Sequence, residues 1–483
     1  MSDIAGRAMR GTVVSMTGQF ASQGIRFASN IILAGLVTET AFGLHALVMA
    51  ITTGLWLVSD LGLGQSIVRN TRDDDEFVHT AWSIGVVRAA LLLVVGCVLA
   101  VPAAAFYDED LLLWLLPLCT LRIFFQATES GQFYLATRAL KVERIVVIEV
   151  IAQLSSMLTA LAIAWYTHHV VALVGSAVMS SFIRTLLTHT ALPGSRMRFV
   201  CNQIAVKELV AFGKWIFLST LCAFVAMRWD VLSLGRLEGF AVLGVYGLAI
   251  QITSVPSQIA LQFSNLVLAP VLADAFRVSP ALLRARLHEA RAGYVPAAML
   301  LFTGAATLAP AFFKLAYKDR FQDGGAMAQL LMITVFATFL QEASSRVLLA
   351  AGDGRGLAFT NFCKVVVTII ASLIGFAAAG FKGFLIGNGV GAIVGVVVVG
   401  LRANATGASG VLSADLGASF TFAAVLGLGC GLPVLLAPVV HVDVAWLTAF
   451  FCPLLCGPLL FMVAVRVRAL RSRPATAPAP NDA

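Results

Sequence analysis

Charged residues are scarce in this sequence of 483 residues. Asp, Glu, Lys and Arg make up 12% of the chain and hydrophobic residues 59%, whereas soluble domains average about 25% charged and roughly 45–50% apolar. A soluble chain of this length would form about three domains, and 33 basic plus 25 acidic residues are too few to coat them. The scarcity of charge argues against a soluble enzyme or nucleic-acid-binding protein and indicates a polytopic membrane protein.

Motifs for metal binding and catalysis are also missing. The eight cysteines form no C-x-x-C pair, and the sequence has no Ser/His/Asp or H-E-x-x-H arrangement. Cys452 and Cys456 stand one helical turn apart without a nearby histidine, which favours buried apolar cysteines over a metal site. The acidic runs Asp73–Asp75 and Asp108–Asp110 fall in very short loops and are interpreted as solvated turns. We therefore predict no cofactor, no metal and no catalytic residue.

Apolar segments long enough to cross a bilayer follow one another along the whole chain. A transmembrane helix needs about 20 residues, and we predict an all-α polytopic membrane protein with about fourteen of them. The first is expected to be retained because it is longer and more polar than a cleaved signal peptide. The predicted spans are 12–36, 41–63, 80–106, 111–134, 144–166, 169–191, 209–234, 239–270, 293–316, 326–350, 358–380, 382–402, 414–437 and 443–466.

The basic residues are distributed unevenly between the two sides of the membrane. With the N-terminus inside, twenty of the 33 lie in inner segments, Arg284, Arg286 and Arg291 among them, and five in outer segments. Such an excess follows the positive-inside rule, so both termini are predicted to be cytoplasmic. The net charge of +8 is then explained by topology, and no nucleic-acid partner is expected.

The other eight basic residues lie inside predicted spans, where a charge is costly and suggests a functional site. Arg26 and Arg122 lie near mid-span, where a long side chain reaches the interface least easily. Arg228 precedes Asp230 by two residues, so a salt bridge is an alternative to a functional role. Arg88 and Arg184 lie at intermediate depth. Three lie near cytoplasmic ends, where snorkelling favours a structural role: Lys214, Arg346 and Lys364.

Polar residues at helical spacing place some of these charges on particular helix faces. One such stripe alone is explained by hydrogen bonds between helices, but four of them, two with central arginines, favour an aqueous cavity suited to an anion. The stripes are Gln19, Gln23, Arg26 and Asn30; Arg122, Gln126 and Glu129; Gln251, Gln258, Gln262 and Asn265; and Thr334, Thr338, Gln341 and Ser345. Recurrence of Gly383, Gly387, Gly391 and Gly395 predicts a smooth face for close helix packing.

A weak internal repeat supports a two-lobed architecture. FGLHALVMAI at Phe42–Ile51 aligns with LGVYGLAIQI at Leu243–Ile252 at an offset of 201, with three identities that include Gly43 and Gly244. Transporters are often built from such repeats, with the ligand site between them. We predict two pseudo-symmetric six-helix lobes, residues 1–191 and 209–402, joined by a cytoplasmic loop at 192–208. Two extra helices at 403–467 and a disordered cytoplasmic tail at 468–483 complete the chain.

Several short motifs resemble those of a known family. SDLGLGQSIVR at Ser59–Arg69, the Phe42–Leu44 segment and Arg26 are similar to the N-terminal signature of Wzx-like polysaccharide flippases. These belong to the multidrug/oligosaccharidyl-lipid/polysaccharide (MOP) exporter superfamily. FGKWIFLSTL at Phe212–Leu221 and LGVYGLA at Leu243–Ala249 resemble the same family's span 7 and span 8 region.

The resemblance implies a bacterial inner-membrane flippase that moves an undecaprenyl-diphosphate-linked oligosaccharide to the periplasmic leaflet by alternating access. The resemblance leaves open whether H⁺ or Na⁺ is the coupling ion and whether a polysaccharide polymerase is a partner. The substrate-facing residues are expected to be Arg26, Arg122, Arg228, Gln19, Gln23, Asn30, Gln126, Gln258 and Gln262, because guanidinium groups suit a diphosphate. Gating or ion coupling is assigned to Asp60, Asp230 and Glu129, although Asp60 at a helix end is also explained as a cap.

Two alternative functions fit the sequence less well. A multidrug antiporter of the same superfamily would need acidic groups in mid-membrane to attract cationic drugs, whereas the central charges here are mainly basic. A polytopic glycan polymerase or ligase needs a sizeable periplasmic loop, and the longest outer connection, near residues 314–325, is too short for one. The sequence therefore predicts a transporter and not an enzyme.

Overall fold

The chain is helical wherever its structure is described. The computed structural model describes residues 2–59, 75–138, 142–195, 197–200, 224–225, 227–406, 408–440 and 443–471. Within these ranges no strand occurs. The prediction of an all-α fold is confirmed.

Seven helices lie in the first part of the chain among the residues that the structure describes. In α4 the buried residues Leu112, Leu115, Leu116 and Cys119 recur at helical spacing, so one face packs inward. A bend of 58° separates α4 from α5, where an unbroken span was predicted. The helices are α1 (Ser2–Leu36), α2 (Glu39–Ser59), α3 (Asp75–Tyr107), α4 (Leu112–Ala127), α5 (Gln132–Arg138), α6 (Val142–Thr167) and α7 (Val171–Thr190).

The described residues of the second part form eight helices. A π-helical stretch, Ser264–Leu268, separates α9 from α10. Helix α11 is longer than its predicted span and begins at Pro280, where the Ser279 hydroxyl accepts a hydrogen bond from the Leu282 amide. The helices are α8 (227–237), α9 (Gly239–Phe263), α10 (Ala269–Val278), α11 (Pro280–Ala316), α12 (Gly324–Ala350), α13 (Gly354–Ala405), α14 (Val411–Val440) and α15 (Val444–Arg471).

Many of these helices are suited to a bilayer. Nine within the described ranges are long and apolar enough to cross a membrane, or ten if the bent pair α4–α5 counts as one span. This confirms a multi-pass membrane protein. The number fourteen stays a prediction, since much of predicted span 7 lies outside the described residues.

Helix α13 is two antiparallel arms joined by a two-residue break. Ala379 and Gly380 leave the helical conformation, and Gly380 has a φ of 58°, which favours glycine. A β-carbon at Gly383 would overlap the carbonyl oxygen of Gly375, and one at Gly391 would strike Thr368. The predicted small-residue face is therefore confirmed, and it closes the two arms on each other.

Two compact units, Met1–Gly247 and Leu248–Ala483, emerge from the packing. In the first unit, α1 packs on α6, and α4 packs on both α3 and α7. In the second unit, Phe302, Phe336 and Phe422 stack in the core between α11, α12 and α14. The lobe boundaries predicted from the repeat, 191 and 209, stay a prediction.

Two glycines related by the repeat offset meet inside the first unit. Gly43 in α2 and Gly244 in α9 lie backbone against backbone, because a β-carbon on either would be 2.9 Å from the other's amide nitrogen. The Gly43 β-carbon would also overlap the Phe240 carbonyl oxygen, and the Gly244 β-carbon that of Glu39. Glu39 and Phe240 are themselves 201 residues apart, so the crossing of α2 and α9 is symmetric.

Alanine at either glycine should destabilise the protein. Gly43→Ala or Gly244→Ala forces the two helix backbones apart, and overpacking of this kind costs about 1–3 kcal/mol. Gly247→Ala is the matched control on α9, because its β-carbon would meet Ala46 at an ordinary 3.7 Å. Denaturant unfolding in detergent measures the difference. Equal stabilities for the Gly244→Ala and Gly247→Ala variants would contradict the close crossing.

Candidate functional site

The polar stripe of α1 lies on the surface of the chain. Gln19 and Arg26 are exposed, and Gln23 and Asn30 are half-buried. A guanidinium group in a membrane-crossing helix faces water or a partner and not lipid tails, because lipid cannot solvate it. The exposed face that carries Arg26 is therefore suited to an aqueous path.

Arg122 forms a small polar cluster on α4 with residues of α4 and α2. Its guanidinium acts electrostatically on the Cys119 thiol and on the His45 imidazole. The thiol also lies 3.4 Å from the Thr52 hydroxyl. No carboxylate pairs with Arg122 in the part of the chain that the structure describes, and its Nε has no hydrogen-bond partner there. The cluster, Arg122, Cys119, His45 and Thr52, keeps a net positive charge.

Glu129 has a different environment from the one expected of a gating group. It is 6% exposed, and its carboxylate lies 3.2 Å from Nε of Arg184 on α7. The Arg184 guanidinium also stands 4.9 Å from the centre of the Phe133 ring. Because this pair lies at the bend between α4 and α5, its geometry fits a structural role, and the gating role assigned to Glu129 stays a prediction.

Arg88 serves as a cap in the first unit. Its Nη1 donates a 2.9 Å hydrogen bond to the carbonyl of Ser59, the last residue of α2. The guanidinium lies 4.4 Å from the Trp56 ring centre. A cation at a helix C-terminus opposes the helix dipole, so this arginine is accounted for by the fold.

Asp230 is held by a tyrosine. The Tyr246 hydroxyl donates a 2.6 Å hydrogen bond to its Oδ2, and the Val231 amide donates to its Oδ1 at 2.8 Å. Arg228 is an electrostatic neighbour of this carboxylate, yet its own Nε has no partner among the described residues. Tyr246 occupies the position equivalent to His45 in the repeat, so the two copies carry different chemistry there.

The remaining predicted site residues are spread over other elements. Gln126 in α4 and Gln262 in α9 are half-buried, and Gln258 in α9 is exposed. Asp60 lies outside the described residues, as does Lys214. Lys364, expected to snorkel, instead turns toward α12, where its ammonium lies 3.5 Å from the Thr338 hydroxyl.

A model of a protein family matches a large part of this chain. Residues 32–324 match the family model described as "Polysaccharide biosynthesis protein", which is more than half of the chain. The chain belongs to this family. The predicted link of this chain to polysaccharide biosynthesis is thereby confirmed.

Two curated proteins are similar in sequence. The succinoglycan biosynthesis transport protein ExoT of Rhizobium meliloti (strain 1021) is 24% identical over 259 residues, 54% of this chain and 52% of ExoT. This match therefore spans about half of the ExoT sequence. The teichuronic acid biosynthesis protein TuaB of Bacillus subtilis (strain 168) is 23% identical over 379 residues, 78% of this chain and 76% of TuaB.

Solved structures show the same fold. The lipid II flippase MurJ in an inward closed conformation has a TM-score of 0.68 at 12% identity, covering 95% of this chain and all of MurJ. An inward-facing multidrug resistance MATE family transporter of the MOP superfamily has a TM-score of 0.61 at 15% identity. The match covers 80% of this chain and 96% of the transporter. These neighbours and ExoT are transport proteins, as predicted from the sequence.

Removing one member of the Glu129–Arg184 pair should destabilise the first unit. Glu129→Gln or Arg184→Met leaves a charge without its partner, and we expect each to lower the free energy of unfolding by about 1–3 kcal/mol. The double variant should lose less stability than the two single variants lose in sum, because neither charge remains. Denaturant unfolding of all three in detergent tests this, with the exposed Arg286–Glu289 pair as control. Additive losses would contradict a direct interaction.

Proposed function

We propose that this protein is a bacterial inner-membrane flippase for undecaprenyl-diphosphate-linked oligosaccharide repeat units of an O-antigen, capsule or exopolysaccharide. It moves them from the cytoplasmic to the periplasmic leaflet, with both of its termini in the cytoplasm. The observation that carries the proposal is the contrast between arginines. Arg26 is exposed on α1, which is predicted from the sequence to cross the membrane, and Arg122 lacks a carboxylate partner in the described chain, whereas Arg88 and Arg184 are engaged by the fold.

The chemistry of the cargo explains this contrast. A diphosphate carries negative charge that the low-dielectric bilayer core opposes, and a guanidinium offsets the cost with paired, charge-assisted hydrogen bonds. Arg26 and Arg122 bind the diphosphate, and Arg228 is the third anion-facing group. Amide side chains bind sugar hydroxyls through both donors and acceptors, and Gln19, Gln23 and Gln126 on the same helices supply them.

The family and its relatives support this proposal. ExoT and TuaB are named for different polysaccharides, and MurJ is named as a flippase of lipid II. The cargo that would unite these proteins with this chain is a lipid-linked glycan, and the identity of the glycan is left open by the proposal. Alternating access through a cationic cavity, H⁺ or Na⁺ coupling and handover to a polymerase are parts of the proposal that follow from the family resemblance.

Alanine substitution of the proposed anion-binding arginines should abolish transport. Arg26→Ala and Arg122→Ala each remove a charge that compensates the diphosphate, and we expect export to fall by at least about tenfold, equivalent to about 1.4 kcal/mol. Arg346→Ala is the control, because Arg346 is an in-span arginine already near Glu342 at 4.0 Å. Complementation of polysaccharide export, at matched protein levels in the membrane, measures the effect. Normal export by both variants would overturn the assignment of these arginines.

A multidrug antiporter is the second candidate, because a MATE transporter shares the fold. Reconstitution separates the two functions. Liposomes containing the purified protein should move a fluorescent polyprenyl-diphosphate sugar between leaflets, and movement should fall in the Arg122→Ala variant. Ethidium export without movement of the lipid-linked sugar would overturn the flippase proposal in favour of the antiporter.

A further inference from the structure

The two C-terminal helices pack onto the second unit. Helix α15 runs along α11, while α14 contacts the arms of α13 and also α11 and α12. Most residues on these faces are apolar. In a bilayer, lipid tails are as apolar as leucine, so the hydrophobic effect does little to hold one helix against another, and polar contacts and close packing select the position.

One buried polar contact joins three of these helices. Arg291 in α11 is 6% exposed, and Asp415 in α14 and Ser344 in α12 are fully buried. Nη2 of Arg291 forms an ion pair with Oδ1 of Asp415. Nη1 donates to the Ser344 hydroxyl at 3.2 Å, and that hydroxyl donates to Oδ2 of Asp415 at 2.6 Å. The triad, Arg291, Ser344 and Asp415, closes a ring of hydrogen bonds.

The sequence analysis counts Arg291 among the basic residues of an inner segment, and that topology stays a prediction. The structure adds that α11 begins at Pro280, so residue 291 lies about three turns inside a helix. Asp415 lies about one turn inside α14. No local pattern relates two residues 124 positions apart, and this explains why the pair is invisible in the sequence.

A second ion pair joins α11 to the C-terminal helices at the opposite end of α11. Lys314 donates a hydrogen bond to Asp443, which lies just before α15, and this bond holds the pKa of the Asp443 carboxyl below its ordinary value. Both side chains are substantially exposed, at 33% and 47%. Exposed pairs contribute little because water screens them. The described residues thus include a buried pair and an exposed pair between α11 and the C-terminal helices.

We infer that Arg291, Ser344 and Asp415 form the attachment point that fixes the C-terminal helix pair α14–α15 in one register on the second unit, so that the pair moves with this unit as one body. A helix held only by apolar contacts can slide by a turn at small cost in lipid. Sliding α14 by one turn would strand Arg291 and Asp415 as separate buried charges, which is strongly unfavourable. The triad therefore selects a single position.

A disulfide reports this register directly. A β-carbon at residue 304 in α11 would lie 3.8 Å from Sγ of Cys456 in α15, which is compatible with a disulfide after small adjustment. Gly304→Cys is introduced into the full chain, with Cys452→Ala because Cys452 lies 3.8 Å from the same sulfur. Copper-phenanthroline oxidation in native membranes, followed by mass spectrometry of the linked peptides, gives the yield.

The variants are compared at matched protein levels. Arg291→Met and Asp415→Asn should each lower the yield of the 304–456 disulfide by about fivefold or more, because the polar contact is broken and an unpaired buried group remains. The charge swap Arg291→Asp with Asp415→Arg should recover at least about half of the wild-type disulfide yield, as a direct pair requires. The control Lys314→Met with Asp443→Asn should change the yield by less than about twofold.

Three results would overturn the inference. One is a wild-type yield in both single variants, which would show that apolar packing alone sets the register. Another is a fall in disulfide yield in the control variant, Lys314→Met with Asp443→Asn, as large as in the variants of the buried pair. If the single variants do not accumulate, the charge swap decides: accumulation with a recovered disulfide supports the attachment, and a swap no better than the single variants contradicts it.

Discussion

The organisation of this protein depends on one constraint, which is that a charge in a membrane-crossing helix must be met by a partner or by water. Arg88, Arg184 and Arg291 meet it inside the protein, through a helix end and a tryptophan ring, through Glu129, and through Asp415. Arg26 and Arg122 do not meet it with a carboxylate in the described chain. The first three arginines hold helices together, and their contrast with the other two is the basis of the proposed anion site.

The fold was largely predictable because its signals are local. Hydropathy located the helices, and the recurrence of Gly383, Gly387 and Gly391 predicted the close packing that the hairpin of α13 shows. The bend between α4 and α5 was missed, since the four residues between these helices include no proline and only one glycine, Gly131. Proline commonly kinks a helix, yet α9 continues through Pro256, and the irregular π-helical turn begins only at Ser264.

The candidate site was less predictable, because the fate of a buried charge depends on which helices are neighbours. Spacing placed Glu129 on a polar stripe with Arg122, but its partner Arg184 comes from α7. Arg184 and Glu129 are 55 residues apart, and Arg291 and Asp415 are 124 apart. A stripe reveals that a face is polar, and only the packing decides whether that face is satisfied by a second helix or open to a solute.

The repeat adds a further distinction between backbone and side chains. At Gly43 and Gly244 the offset of 201 relates both the glycines and the carbonyl groups they approach, so the symmetry holds at the level of the backbone. Two residues after each glycine the symmetry is lost: His45 is an electrostatic neighbour of the Arg122 guanidinium, and the Tyr246 hydroxyl donates a hydrogen bond to the Asp230 carboxyl. A symmetric crossing lets the two copies share one contact geometry, whereas the different polar neighbours beside it, Arg122 in one copy and Asp230 in the other, make the copies chemically inequivalent.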